Sequence, residues 1–167
     1  MVKSSGETLQ KAREAVARVT DPEIPDVSIV DLGIVRSIAE QEGTVVITIT
    51  PTYSGCPAMH VIEMEIGSAL RAAGIGLFRI EKVLSPAWTT AWITESGKRG
   101  LSRAGIAPPA SSPRNVPVAV ELEKTHIPCP VCQSTETALV SQFGPTACKA
   151  LYRCTDCLST FEYFKPI

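Results

Sequence analysis

The sequence is poor in histidine, with two in 167 residues, and neither stands beside a plausible nucleophile. Hydrolytic catalysis through a histidine base therefore has little to build on, and the H-E-x-x-H metalloprotease pattern is absent. Gly74-Ile75-Gly76 lacks the third glycine of a dinucleotide-binding loop, and no Walker loop occurs. These absences argue against an enzyme that is catalytic by itself. No apolar run approaches the roughly eighteen residues that a membrane span requires. The opening Met1-Val2-Lys3-Ser4-Ser5-Gly6 has no apolar core behind its lysine, so no secretory signal is read and a cytoplasmic location is expected. Neither sign of charge dominates: 16 basic against 17 acidic residues give a net −1, which speaks against a nucleic-acid or anionic-membrane surface.

What the chain does have is cysteine in an uneven distribution. Five of its six cysteines lie between Cys129 and Cys157, and Cys56 stands alone upstream. In a reducing compartment clustered thiols bind metal or do redox chemistry more often than they form disulfides. The asymmetry implies two modules.

The first hundred or so residues read as an α+β two-layer domain. Leu9, Ala12, Val16 and Val19 recur at helical spacing over Glu7 to Val19, and Pro22 and Pro25 end that helix. Ile34–Ala39 and Thr44–Thr50 read as strands joined by a polar turn. A second helix over Pro57 or Ala58 to Ala73 carries Met59, Ile62, Ile66 and Leu70 on one stripe, with Gly74 as its stop. Leu77–Leu84 reads as a third strand, Ala87–Thr94 as a fourth and Glu95–Ala104 as a last helix. Residues 106–124 hold four prolines and read as a stiff linker, although Val116, Val118, Val120 and Leu122 alternate as an edge strand would. The expected organisation is a domain over 1–105, a linker over 106–124 and a small β zinc ribbon over 125–167. No internal repeat is evident.

The ribbon rests on Cys129-Pro130-Val131-Cys132 and Cys154-Thr155-Asp156-Cys157, two C-x2-C pairs separated by residues 133–153. Two residues between thiolates let a tight turn aim both sulfurs at one ion, and two such turns complete a tetrahedron. The segments Thr137–Phe143 and Ala150–Arg153 can form the connecting hairpin. A module of some forty residues buries too little apolar surface to fold alone, and zinc binding of roughly 10–16 kcal/mol supplies the deficit. His126 precedes the first pair and is a bystander, given four cysteines. Cys148 is the extra thiol near the hairpin tip: either a small packed residue or, with Lys149 beside it, a site that favours thiolate.

Cys56 sits in Pro51-Thr52-Tyr53-Ser54-Gly55-Cys56-Pro57-Ala58. With Pro57 as the first helical residue, Cys56 is the N-cap, where free N–H groups and the helix dipole stabilise a thiolate. A structural role in the turn is the alternative.

Three segments, Asp21-Pro22-Glu23-Ile24-Pro25, Asp31-Leu32-Gly33-Ile34-Val35 and Thr50 through Ala58, resemble the metal–sulfur cluster biosynthesis family, which includes bacterial SufT-like proteins. With the Cys129–Cys132 pair and the run Phe143 through Cys154 added, the whole chain resembles the D-subunit family of the bacterial phenylacetyl-CoA epoxidase system. The resemblance implies an accessory role in phenylacetate catabolism, beside a di-iron oxygenase and an iron–sulfur flavoprotein reductase. It implies a structural zinc at Cys129, Cys132, Cys154 and Cys157. It matches Cys56 to the family's reactive cysteine, and Asp21 and Glu23 to its acidic segment, with Cys148 a candidate to share transient iron or an iron–sulfur cluster. A solvated turn is the alternative for the two acids. For the whole chain the alternative is a non-catalytic structural subunit that uses its ribbon to dock, and a homodimer is left open.

Overall fold

The computed structural model describes residues 5–109 and 127–166. The alternating run Val116 to Leu122 and His126 lie outside the described residues. The chain forms two compact units, Met1–Trp88 and Thr89–Ile167.

In the first unit, helix α1 (Ser5–Val16) leads into a short antiparallel pair, β1 (Thr20–Asp21) with β2 (Ile24–Ser28). A three-stranded mixed sheet follows. Strands β3 (Val35–Gln41) and β4 (Thr44–Ile49) form an antiparallel hairpin, and β5 (Phe78–Lys82) lies parallel to β4. Glu42 and Gly43, the two turn residues between β3 and β4, both have positive φ (50° and 78°). That is the mirror-image turn whose twist matches paired strands. Helix α2 (Ala58–Ala72) carries the chain from β4 across to β5, because parallel neighbours cannot be joined by a tight turn.

The apolar stripe read from sequence is the buried one: Met59, Ile62, Ile66 and Leu70 of α2 lie inside with Ala12 and Val16 of α1 and Val45, Ile47 and Ile49 of β4. Gly74, at φ 75°, ends α2 as expected. Its N–H donates to the Arg71 carbonyl, and the Ile75 N–H reaches back to Leu70. This pair of bonds needs a left-handed residue that a side chain would strain.

The expected fourth strand over Ala87–Thr94 is not formed. Trp88 is buried instead and its indole N–H donates to the Leu32 carbonyl at 3.0 Å. Thr90–Trp92 is a single 3-10 turn capped by Thr89. An indole anchored this way holds the segment as a loop, which a propensity reading cannot anticipate.

The second unit begins with that turn and helix α3 (Glu95–Arg103), whose N-cap Thr94 accepts from the Gly97 N–H at 3.0 Å. Its sheet runs β6-β9-β8-β7. Strands β7 (Thr137–Ser141), β8 (Lys149–Cys154) and β9 (Thr160–Phe164) are antiparallel neighbours. β6 (Ile106–Ala107) joins β9 in parallel. The observed units thus divide after Trp88, with α3 and β6 in the second, whereas the sequence suggested a division after residue 105. The reason is that Ile106 and Ala107, the start of the expected linker, are buried as a strand of the ribbon sheet. Tyr152 centres a small core, stacked on Phe161 and edge-on to Tyr163, with Ile127, Ala150 and the sulfur-bearing Cys129 and Cys154 around it.

Leu70 is fully buried in the first unit. Leu70→Ala should destabilise that unit by about 2–5 kcal/mol, read by urea unfolding of the full chain, with the metal content of the purified protein unchanged.

Candidate metal centre

The four cysteines of the two C-x2-C pairs converge. Their sulfurs all lie within 4.8 Å of one another, with Cys129 Sγ 3.7 Å from Cys157 Sγ and Cys132 Sγ 3.6 Å from Cys154 Sγ. An ion bound at about 2.3 Å from four sulfurs sets tetrahedral edges of about 3.8 Å, so the observed spacing suits a metal. It is far too long for a disulfide, whose sulfurs sit about 2.05 Å apart.

Two matching turns produce the convergence. In the first, Gln133 N–H donates to the Cys129 carbonyl (2.8 Å) and Cys129 N–H to the Ser134 carbonyl (2.9 Å). In the second, Cys154 N–H donates to the Ser159 carbonyl at 2.9 Å. The residue after each second cysteine, Gln133 or Leu158, is left-handed, at φ 63° and 64°. Both turns therefore read Cys-x2-Cys-x-Ser, a short internal repeat that a search at the scale of whole elements passes over. The two are tied together by the Ser134 hydroxyl, which donates to the Asp156 carboxylate. Cys129 and Cys154 are buried; Cys132 and Cys157 lie at the surface.

The electrostatics of the set favour a cation. Ser159, through its hydroxyl and its backbone N–H, draws Cys157 down to about 6. Cys132 accepts a backbone hydrogen bond from Ser134, which lowers it, yet Cys157, burial, Cys154 and Cys129 together push it up to about 12. Four thiols this close cannot all ionise against one another. A divalent ion bound here would hold all four as thiolates, and protons would compete with it as pH falls.

Cys56 belongs to the first unit. It is half-buried in the loop between the end of β4 and α2, and its N–H donates to the Tyr53 carbonyl at 3.1 Å. The N-cap is Pro57, one residue later than the sequence suggested, and it makes no side-chain cap bond. Pro57 already has helical dihedrals (φ −69°, ψ −25°), so Cys56 is the last residue before the backbone turns helical. The carboxyl end of a parallel strand, where the chain enters a helix, is a common place for α/β sheets to hold ligands.

At that same strand end is Thr50, which sequence reasoning passed over. It is 1% exposed, and its hydroxyl is the buried side-chain polar atom left without a hydrogen-bond partner among the described residues. Such a group costs stability unless something satisfies it. Its only signal in sequence is a hydroxyl where the alternation of β4 runs into the Cys56 loop.

Asp21 is buried, and its Oδ1 accepts from the Glu23 N–H (2.8 Å) and the Ile24 N–H (3.1 Å), which shapes the β1–β2 turn. Glu23 is exposed. Cys148, in the second unit, lies at the far end of β8 from Cys154 and outside the four-sulfur cluster.

The architecture is that of an iron–sulfur-assembly-type α+β domain followed by a zinc β ribbon. Residues 9–79 match the model of the iron–sulfur cluster assembly protein family, and residues 113–165 match the PaaD zinc beta ribbon domain. A domain of unknown function, DUF59, from Bacillus anthracis superposes with a TM-score of 0.53 at 28% identity, covering 59% of this chain and 94% of that one. The chain is also 42% identical, over 91% of its length and 89% of the relative's, to the Escherichia coli (strain K12) protein named as the D subunit of 1,2-phenylacetyl-CoA epoxidase. It belongs to the family of phenylacetyl-CoA epoxidase D subunits. Among the described residues no helix is long and apolar enough to cross a membrane.

The Ser134–Asp156 bond locks the two turns around the sulfurs. Asp156→Ala should weaken metal binding about tenfold, the low end of what a group supporting metal ligands contributes. Chelator competition on the full chain reads this, and an unchanged affinity would show the bond to be incidental.

Proposed function

We propose that this chain is an accessory subunit of a phenylacetyl-CoA epoxidase system that helps assemble or maintain the iron or iron–sulfur centres of its partner subunits. The observation that carries this is the pairing, in one chain, of an iron–sulfur-assembly match over residues 9–79 with D-subunit likeness over 91% of the length. The ribbon holds one structural zinc through Cys129, Cys132, Cys154 and Cys157. Four thiolates on two tight turns are a closed tetrahedral donor set suited to that ion. Iron, or a cluster, is cargo. Cys56 is the thiol that handles it, supported by the half-buried position at the mouth of α2 and by the unsatisfied Thr50 hydroxyl at the same strand end.

Asp21 contributes by shaping the neighbouring turn, since its Oδ1 accepts from two backbone N–H groups there, and Glu23, which is exposed, is the acid that meets a partner's metal. The partners are a di-iron oxygenase subunit and an iron–sulfur flavoprotein reductase. A second reading, a structural subunit that uses its ribbon to dock, draws on Val131 and Leu158, which stand 66% and 61% exposed on the two cysteine turns.

Two measurements test these assignments. The purified full chain should contain one zinc, with Zn–S distances of about 2.3 Å by X-ray absorption. Cys154→Ser should lose it while α1, α2 and the first sheet stay folded, and stoichiometric zinc in a Cys129/Cys154 double variant would refute the ligand set. For the cargo role, Cys56→Ser should leave co-purification with the other subunits intact yet abolish growth on phenylacetate and lower iron in the oxygenase. Normal growth and normal iron would leave the docking role standing alone.

A further inference from the structure

The end of the ribbon hairpin remote from the metal carries a second group of titratable side chains. Cys148 precedes β8 and is 7% exposed. Its carbonyl accepts from the Lys165 N–H at 3.0 Å, and the next residues, Lys149 and Phe164, are register partners. Cys148 and Lys165 are therefore opposed across the β8–β9 pair. Opposed residues of an antiparallel ladder put their side chains on one side, with Cβ atoms about 4.5–5.5 Å apart.

Adjacency in sequence points to Lys149 as the cation that supports a Cys148 thiolate. The structure corrects that. Successive residues of a strand point to opposite faces, and Lys149 is already neutralised, with Nζ 2.8 Å from Glu162 Oε2. Lys165 is the cation that faces the sulfur, and sixteen intervening residues separate it from Cys148 in the chain, which hides it from a local reading.

Lys165 is itself 7% exposed. Its Nζ donates to the Gln142 carbonyl at 3.1 Å and lies 4.4 Å from the Phe143 ring centroid. Among the described residues no carboxylate pairs with it. A buried ammonium is costly unless an anion compensates it. Burial draws the Lys165 amine down, and charge on Cys148 draws it back up. The Thr146 hydroxyl, 3.3 Å from Cys148 Sγ, adds a hydrogen bond. Cys148 lies six positions before Cys154, about 20 Å of extended chain, so Cys148 is not a spare ligand for the ribbon's metal.

We infer that Cys148 and Lys165 form a thiolate–ammonium site built to react with a small neutral oxidant of the hydroperoxide class, and not to hold metal. The same cation that stabilises a thiolate repels a metal ion, and burial admits only reagents near the size of water. The sulfur attacks one peroxide oxygen, and the O–O bond breaks as the S–O bond forms. The departing hydroxide takes a proton from the Lys165 ammonium and leaves as water. Cysteine is oxidised to sulfenic acid, the peroxide is reduced, and the amine regains its proton from solvent.

The test exposes the full chain with its metal bound to hydrogen peroxide, removes the oxidant, and denatures timed samples in dimedone so that sulfenic acid formed in the folded protein is trapped and located by mass spectrometry, while a chromophoric chelator in a parallel native sample reports metal release. Cys148 should be labelled before metal is released. Lys165→Met should slow labelling by about tenfold, the scale of change in thiolate share per unit of pKa, while Lys165→Arg keeps it within about threefold. Phe143 is 64% exposed, so Phe143→Ala leaves the core alone and should speed labelling by opening access to the pair. Labelling confined to Cys56, metal release before any Cys148 adduct, or a wild-type rate in Lys165→Met overturns the proposal. Should Lys165→Met lose its metal, Phe143→Ala decides: a faster rate supports the site and an unchanged one overturns it.

Discussion

The second unit depends on four sulfurs being brought within 4.8 Å of one another. Its apolar core is a handful of residues around Tyr152, and two of those residues, Cys129 and Cys154, are themselves in the cluster. Core and metal centre are thus one object. The buried member of each cysteine pair packs against Tyr152 and its neighbours, and the surface member completes the group of four sulfurs from outside. The left-handed residues Gln133 and Leu158 are tolerated at non-glycine positions because the turn geometry, fixed by backbone bonds to the cysteines, requires them. A sheet this small gains little from burial alone, so a cluster that ties the turn before β7 to the turn between β8 and β9 adds to what strand pairing supplies.

The first unit rests on a different constraint. β4 is the strand with partners on both sides, antiparallel β3 and parallel β5, and Val45, Val46, Ile47 and Ile49 are all buried. A central strand with α2 crossing from its end places the loop 50–57 at the edge of the parallel pair. Thr50 and Cys56 stand at the two ends of that loop, one where the chain leaves the sheet, the other just before α2. The burial that stabilises β4 is also what leaves the Thr50 hydroxyl without water.

Much of this was legible. The helical stripe of α2, its glycine stop, the β3–β4 hairpin and the two cysteine pairs are local patterns, each set by residues within a few positions of one another. Cys129, Cys132, Cys154 and Cys157 were readable as one donor set because their spacing carries the geometry of two tight turns. What escaped the reading was long-range. Trp88 holds a loop where alternation suggested a strand, through one bond to Leu32. Ile106 and Ala107 sit in a proline-rich stretch that looks like linker, and only β9 makes them a strand.

The sequence by itself determined that the chain has two modules, which cysteines form a cluster, and which face of each long helix is inside. These follow from periodicity and short spacings, which local chain stiffness translates directly into geometry. Only the tertiary structure decided where the units divide, that the Thr50 hydroxyl is buried with no partner among the described residues, and that Cys148 faces Lys165 instead of Lys149. Each of those depends on which distant segment comes alongside in strand pairing or core packing, and a one-residue change in register would have reversed the last of them.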